Sequence, residues 1–247
     1  MITHTRLNSK ILIRISNEDV CVMFKNIILK INAFFLSVLL ISCSSQEYTT
    51  AKLAIQQSDF KKAAEWLPKA MEVEPNNPEI PIVMAIEIHA KNNEWEEMVS
   101  LFNKAKEIDS KKEIEVRQAF IVVEEAVKNY IEYYWAQEFN AGVEQFKKIQ
   151  EDSDNKPKYL EAAIRHFSSA AIINPSDANT HATLAKCYFD LGDKQSAIEA
   201  TLVAVKKNPD SFEANFSAGQ ILGRAGRSSD EVLPYYKKAT EIEPSNS

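Results

Sequence analysis

Four histidines, His4, His89, His166 and His181, could bind a metal or shuttle a proton. None has a histidine four residues away, and no His-Glu-x-x-His is present, so zinc hydrolase chemistry has no ligand set. Cys187 stands beside Tyr188 in a segment of helical spacing, where it reads as a small apolar filler. A nucleophilic thiol would need a base and an electropositive setting beside it. Gly219, Gly223 and Gly226 cluster in Gly-Gln-Ile-Leu-Gly-Arg-Ala-Gly, yet no Gly-Lys-Ser/Thr and no preceding strand accompany them. A phosphate-cradling loop needs both. The carboxylates of Glu94, Glu96, Glu97, Glu124 and Glu125 fall on polar helix faces. These residues predict no catalytic group, no metal site and no cofactor. The cluster of Tyr130, Tyr133, Tyr134, Trp135 and Phe139 has two readings: core packing onto neighbouring helices, or an exposed aromatic patch for a partner.

Composition narrows the class further. The chain has 247 residues, of which 45% are apolar and 26% charged, with only 5 Gly and 9 Pro. So few glycines argue against turn-rich β sandwiches and against glycine-rich nucleotide folds. The formal charge is −6, from 29 basic and 35 acidic residues. An acidic surface repels a phosphate backbone, which excludes nucleic acid as the expected partner. Three cysteines are no disulfide framework.

The amino end reads as an address. Lys25 and Lys30 precede the apolar run Ile31–Ile41, and Leu40-Ile41-Ser42-Cys43 follows. A basic stretch, a short apolar stretch and a small residue before a cut are the parts of a secretory signal. Ile27–Ile41 is shorter than the roughly 20 residues a spanning helix needs. Leu-Ile-Ser-Cys resembles the bacterial lipobox, and the resemblance implies lipidation of Cys43 after removal of residues 1–42. Glu18 and Asp19 do not suit a signal, so Met23 is the better start and residues 1–22 an over-extended reading frame. Residues 23–42 are then the signal peptide. Ser44 lacks the acidic character associated with inner-membrane retention, which favours the outer membrane.

The rest of the chain is periodic. Ala63, Leu67, Ala70 and Pro75 have spacings that recur at Ala163, Phe167, Ala170 and Pro175, and again at Ala197, Thr201, Ala204 and Pro209. Met98, Phe102, Ala105 and Ser110 form another copy, and Val232, Tyr236, Ala239 and Pro244 a fifth. In Ala178–Ser211, Leu184, Ala185, Tyr188, Gly192, Ala197, Ala204 and Pro209 stand in the register of the tetratricopeptide repeat (TPR), a helix–turn–helix unit of 34 residues, which the sequence resembles. The resemblance implies an all-α fold, a right-handed superhelix of antiparallel helix pairs A and B. The units are about 44–77, 79–112, 113–177 (irregular), 178–211 and 212–247, within a domain spanning 43–247. Units two and five carry one extra residue near the A–B turn.

Unit three departs from the pattern. Helical spacing from Glu113 to Gln150 predicts one over-long helix, with a break near Lys128-Asn129 as the alternative. The segment Glu151–Pro157 reads as a long turn-rich link. Glycines in the last unit predict a soft terminal pair. With no polar capping helix after it, that pair could dock on a second copy of the chain.

The family places binding on a concave face lined by the A helices. In that register the face presents Lys52 and Gln56, then Val83, Glu87 and Lys91, then Asn179, Lys186 and Phe189, then Phe216, Gln220 and Arg224. Ala182 and Lys186 occupy the two positions that hold Lys and Asn in carboxylate-clamp members, so no clamp for a C-terminal carboxylate is expected. The expected function is a non-catalytic, lipid-anchored scaffold for other envelope proteins or peptides. The competing expectation is an enzyme or ligand-binding protein with a pocket near helix 113–150 and loop 151–157. It would require Tyr133, Trp135, Glu138 and His166 to converge.

Overall fold

The computed structural model describes residues 44–246. The signal region 1–42 and Cys43 lie outside the described residues. Residues 46–246 form five helix pairs and one β-hairpin. The first pair is α1 (Gln46–Gln56) and α2 (Phe60–Val73). The second begins with α3 (Glu79–Met84), which continues as a π-helix over Ala85–His89 and a 3-10 turn over Ala90–Asn92, and ends with α4 (Trp95–Asp109). Strands β1 (Glu113–Val116) and β2 (Ala119–Val122) follow as the hairpin. The third pair is α5 (Val123–Glu151) and α6 (Lys156–Ile173), the fourth α7 (Ala178–Leu191) and α8 (Lys194–Lys207), and the fifth α9 (Phe212–Arg224) and α10 (Ser229–Ile242).

Helix starts follow from capping chemistry. The carboxylates of Asp59, Asp177 and Asp193 accept the amides of Lys62, Thr180 and Ser196, and the Ser211 hydroxyl accepts that of Ala214. Each satisfies an amide that has no partner inside its helix. Pro157 occupies the first turn of α6, where its missing N–H costs nothing.

The periodic stripe is the core. Ala63, Leu67 and Ala70, Met98, Phe102 and Ala105, Ala163, Phe167 and Ala170, and Ala197 and Ala204 are all fully buried. The B helices of the first four units therefore turn this stripe inward, and in the fifth Val232 and Ala239 are buried while Tyr236 is half-buried. Small residues on helix A admit the large member of the stripe. A Cβ built on Gly142 would lie 2.7 Å from the Phe167 ring, and one on Gly219 would lie 2.7 Å from the Tyr236 ring. Gly219 is thus a close-approach residue between α9 and α10, a packing reason for a glycine that sequence alone marks only as helix-weakening.

Two expectations for unit three are corrected. Glu113–Val122 is not the start of a helix; it is the hairpin, with Glu113 opposite Val122, Ile114 opposite Ile121, Glu115 opposite Phe120 and Val116 opposite Ala119. The alternation of Ile114 and Val116 with Glu113 and Glu115 turns one face into the core, and that period of two wins over the helical reading. The long helix starts at Val123 and runs unbroken through Lys128-Asn129 for 29 residues. Likewise, 151–157 is not a long loop. Glu151 ends α5, one 3-10 turn spans Ser153–Asn155, and α6 begins at Lys156. The Asp152 carboxylate closes this turn by accepting from Asn155 Nδ2 (2.8 Å) and from the Tyr159 hydroxyl (3.1 Å).

The aromatic cluster is mostly core. Tyr130, Tyr134 and Trp135 pack with Trp95 and Phe102, while Phe139 packs on Phe167. Tyr133 alone of the five is exposed. Gly142→Ala is expected to lower stability by about 1–3 kcal/mol through overpacking against Phe167, despite the ~1 kcal/mol that Ala gains in helix propensity. Phe167→Leu in the same chain should recover part of the loss in thermal unfolding. Strict additivity of the two changes would show that the ring is not the obstacle.

Candidate functional site

The A helices of units one and two and the hairpin line an open cavity of about 490 Å³. Helix α1 contributes Thr49, Lys52, Leu53, Ile55 and Gln56. Helix α3 and its π-helical continuation contribute Glu79, Val83, Ile86 and Glu87, and the hairpin contributes Glu115, Val116, Arg117 and Gln118. Val83 and Ile86 are buried, whereas Leu53 remains 49% exposed. The walls are therefore apolar below and charged around the rim.

Glu87 organises the rim. Although it is only 7% exposed, its carboxylate takes Arg117 Nε and Nη2 on Oε1, both at 2.9 Å, and Lys91 Nζ on Oε2 at 2.7 Å. A buried carboxylate needs such partners. Burial pushes the Glu87 carboxyl up, but the hydrogen bonds and charges of Lys91 and Arg117 hold it below the ordinary glutamate range. Lys91 also covers the Phe60 ring at 3.5 Å from its centroid, and Arg117 faces the Tyr130 ring at 6.0 Å. Across the cavity, Glu79 accepts from the Tyr48 hydroxyl and lies 3.7 Å from Lys52 Nζ.

The hairpin tip is strained. Arg117 and Gln118 have φ of +51° and +67°, the conformation of a two-residue turn that favours Asn-Gly. Non-glycine residues there cost on the order of 1–3 kcal/mol each. The pair from Arg117 to Glu87 is the contact that ties the strained tip to α3's continuation.

Of the residues expected on the concave face, Lys52, Gln56, Val83 and Glu87 come together in this cavity. Lys91 is drawn aside onto Glu87 and Phe60. Asn179, Lys186, Phe216, Gln220 and Arg224 lie exposed on α7 and α9, and Phe189 is half-buried on α7. There the Arg224 guanidinium lies 4.3 Å from the centre of the Phe189 ring, and Phe216 stacks on Phe212 at 5.4 Å. None of these six lines the cavity. Glu79, Glu115, Arg117 and Gln118 are cavity residues that the repeat register does not mark. The alternation in Glu-Ile-Glu-Val is the signal for the strand, but Arg-Gln carries no turn signature.

The residues proposed for a pocket near α5 face different neighbours. Trp135 Nε1 donates to Thr180 Oγ1 at 2.9 Å, and that hydroxyl donates to Asp177 at 2.6 Å. His166 Nδ1 meets Glu138 Oε2 at 2.9 Å, and the Tyr133 hydroxyl accepts from Gln137 Nε2. The expected convergence is not observed. Burial pushes the Cys187 thiol up to about 12, so it remains protonated at neutral pH. Among the described residues, no group of three or more His, Cys, Asp or Glu side chains could hold a metal.

The family model of the tetratricopeptide repeat matches residues 158–217, from α6 to the middle of α9. No curated protein matches the chain. Among solved structures, a crystal structure of MamA is 21% identical over 80% of this chain and 90% of its own, with a TM-score of 0.35. YrrB, described as a TPR protein with an unusual peptide-binding site, is 14% identical over 82% and 88%, with a TM-score of 0.36. TTC0263, a thermophilic TPR protein in Thermus thermophilus, is 21% identical over 81% and 93%, with a TM-score of 0.35. These are loose likenesses. The assignment of the fold as all-α and of TPR type rests on the repeat match and on the helix pairs described above.

Arg117→Ala is expected to reduce stability by about 1–2 kcal/mol, because a buried carboxylate loses a charge-assisted hydrogen bond and its ion-pair partner. The pH dependence fixes the sign. A carboxyl lowered in the folded state adds stability that is present above its unfolded value and is lost as pH falls through the folded value. Acid titration followed by circular dichroism should place the Glu87 contribution below the ordinary glutamate range in the natural chain. In Arg117→Ala, which keeps only Lys91 on Glu87, the loss should begin at higher pH; coincident curves would refute the coupling.

Proposed function

We propose that the chain is a non-catalytic, lipid-anchored repeat scaffold that holds a protein partner at a membrane surface of the bacterial cell envelope. One observation carries this reading. Lys52, Gln56, Val83 and Glu87, all placed on the concave face by the repeat register, line one cavity in the structure. Stacked helix pairs of this kind present an extended surface to which a peptide or a partner element can bind. The mixed charge at the rim and the apolar floor suit a polypeptide better than a nucleic acid.

The anchor in this reading is lipid on Cys43, drawn from the lipobox-like Leu40-Ile41-Ser42-Cys43. Two acyl chains suffice for stable attachment. Among the described residues, no helix is long and apolar enough to cross a membrane. The residue after the cysteine, Ser44, favours delivery to the outer membrane. In the assembled envelope the scaffold would have its groove facing proteins rather than substrates, and it would need neither metal nor cofactor.

The test has two parts. Labelling of cells with a palmitate analogue should mark the full chain and fail for Cys43→Ala, which should also leave the membrane fraction. Affinity purification of the intact, detergent-extracted protein should recover a stoichiometric protein partner. Recovery of the scaffold alone from gentle detergent would count against the function, and unchanged labelling of Cys43→Ala would refute the anchor.

A further inference from the structure

We propose that the free edge of β1 is a strand-addition site, at which an extended segment of a partner protein bearing lysine or arginine pairs with the main chain at Glu115. This rests on the groove reading above and specifies how the partner is held.

The hairpin register supplies the first argument. Val116 and Ala119 flank a two-residue turn and form the hydrogen-bonded pair beside it. Hydrogen-bonded and non-hydrogen-bonded pairs alternate along an antiparallel ladder. Ile114 and Ile121 are therefore the next bonded pair, and the Val123 amide donating to the Lys112 carbonyl at 3.0 Å continues the series. The N–H and C=O of Glu115 then point away from β2. The sheet has two strands only, so that edge of β1 is paired with no other strand among the described residues.

The second argument is where that edge faces. Glu115, Val116 and both turn residues line the cavity, whereas no residue of β2 does. The unpaired edge thus belongs to the strand that borders the cavity, with α3 the helix packed beside it and α1 forming the far wall. A peptide seated there would have the β1 main chain on one side and Leu53 and Gln56 on the other. Added strands gain affinity from main-chain hydrogen bonds and specificity from alternate side chains.

The third argument sets the occupant. Leu53 stands half exposed above the buried Val83 and Ile86, which calls for an apolar side chain. Glu115 has no ion-pair partner among the described residues and lies on the outer face of the hairpin, so an alternate position calls for a basic side chain. Charge also disfavours a second copy of this strand. Antiparallel pairing of β1 with itself would bring Glu113 and Glu115 against the same residues of the other copy, and like charges on edge strands oppose such pairing.

The experiment uses the full chain in cells, with a photocrosslinking residue at Gln56 on the α1 wall. Glu115→Pro removes the outward N–H while leaving the ladder bonds of Ile114 and Val116, as proline is tolerated on an edge strand. Glu115→Gln keeps the amide and removes the charge. Partner capture is expected to fall roughly tenfold in Glu115→Pro and only a few-fold in Glu115→Gln. Equal capture by Glu115→Pro and the natural chain overturns strand addition and leaves the groove reading standing. Failure of the natural chain to capture any protein, from Gln56 and from Gln118 alike, overturns the groove reading and this inference with it. Amide exchange in the purified complex of the natural chain gives a measurement independent of the variants. The Glu115 amide should become protected when the partner is bound, and unchanged exchange overturns the proposal.

Discussion

No helix pair in this chain can bury its own apolar stripe. The B helices of the first four units turn their stripe inward, where Ala63, Leu67 and Ala70, Met98, Phe102 and Ala105, Ala163, Phe167 and Ala170, and Ala197, Thr201 and Ala204 are buried among neighbouring elements. Everything else follows from that constraint. It explains why the large member of the stripe sets the size of the residue opposite: Phe167 is matched by Gly142 and Tyr236 by Gly219. Helix axes can approach closely only where one side gives up volume. The pairs are therefore read as complementary sizes rather than as identical repeats.

The same constraint accounts for the hairpin between units two and three. Ile114 and Val116 turn into a core shared with Ile82, Ile86, Trp95 and Phe102, so the insertion covers apolar surface that a regular helix A would have covered. Its other face carries Glu113, Glu115, Phe120 and Val122, with Phe120 71% exposed. The hairpin is a structural part of the core on one face and a free surface on the other. That division places a strand edge, unusual company for helices, beside the groove formed by α1 and α3.

Much of this was legible in the sequence. The spacing 4, 3 of Ala163, Phe167 and Ala170 and its copies identified the buried stripe. Lys52 and Gln56, which the repeat register sets on one face with Val83 and Glu87, line the same cavity as those two residues. The hairpin was not legible for two physical reasons. Phe120, Val123 and Val127 happen to fit a helical period, and the turn uses Arg117-Gln118 in place of Asn or Gly. Arg117, at the tip, is held by a long-range contact with Glu87, which local sequence does not encode. The short link at 152–155 is obscured for a related reason: its polar residues, typical of a loop, hydrogen-bond one another and tighten the turn.

The extra residues of units two and five show how one insertion can have two outcomes. The stripe returns after 35 positions from Ala63 to Met98 and from Ala197 to Val232, against 34 from Ala163 to Ala197. In unit five the surplus is taken up in the turn, which spans residues 225–228 and includes Gly226 at φ +86°. In unit two the helix absorbs it as the π-helix Ala85–His89. A π turn widens the helix locally and rotates the side chains that follow it. Glu87 sits in that turn, where its carboxylate reaches Lys91 on its own helix and Arg117 at the hairpin tip together. An insertion placed in the loop, as in unit five, would have left helix phase unchanged. Placed within the helix, it carries the residue that latches the hairpin and so sets the width of the cavity beside it.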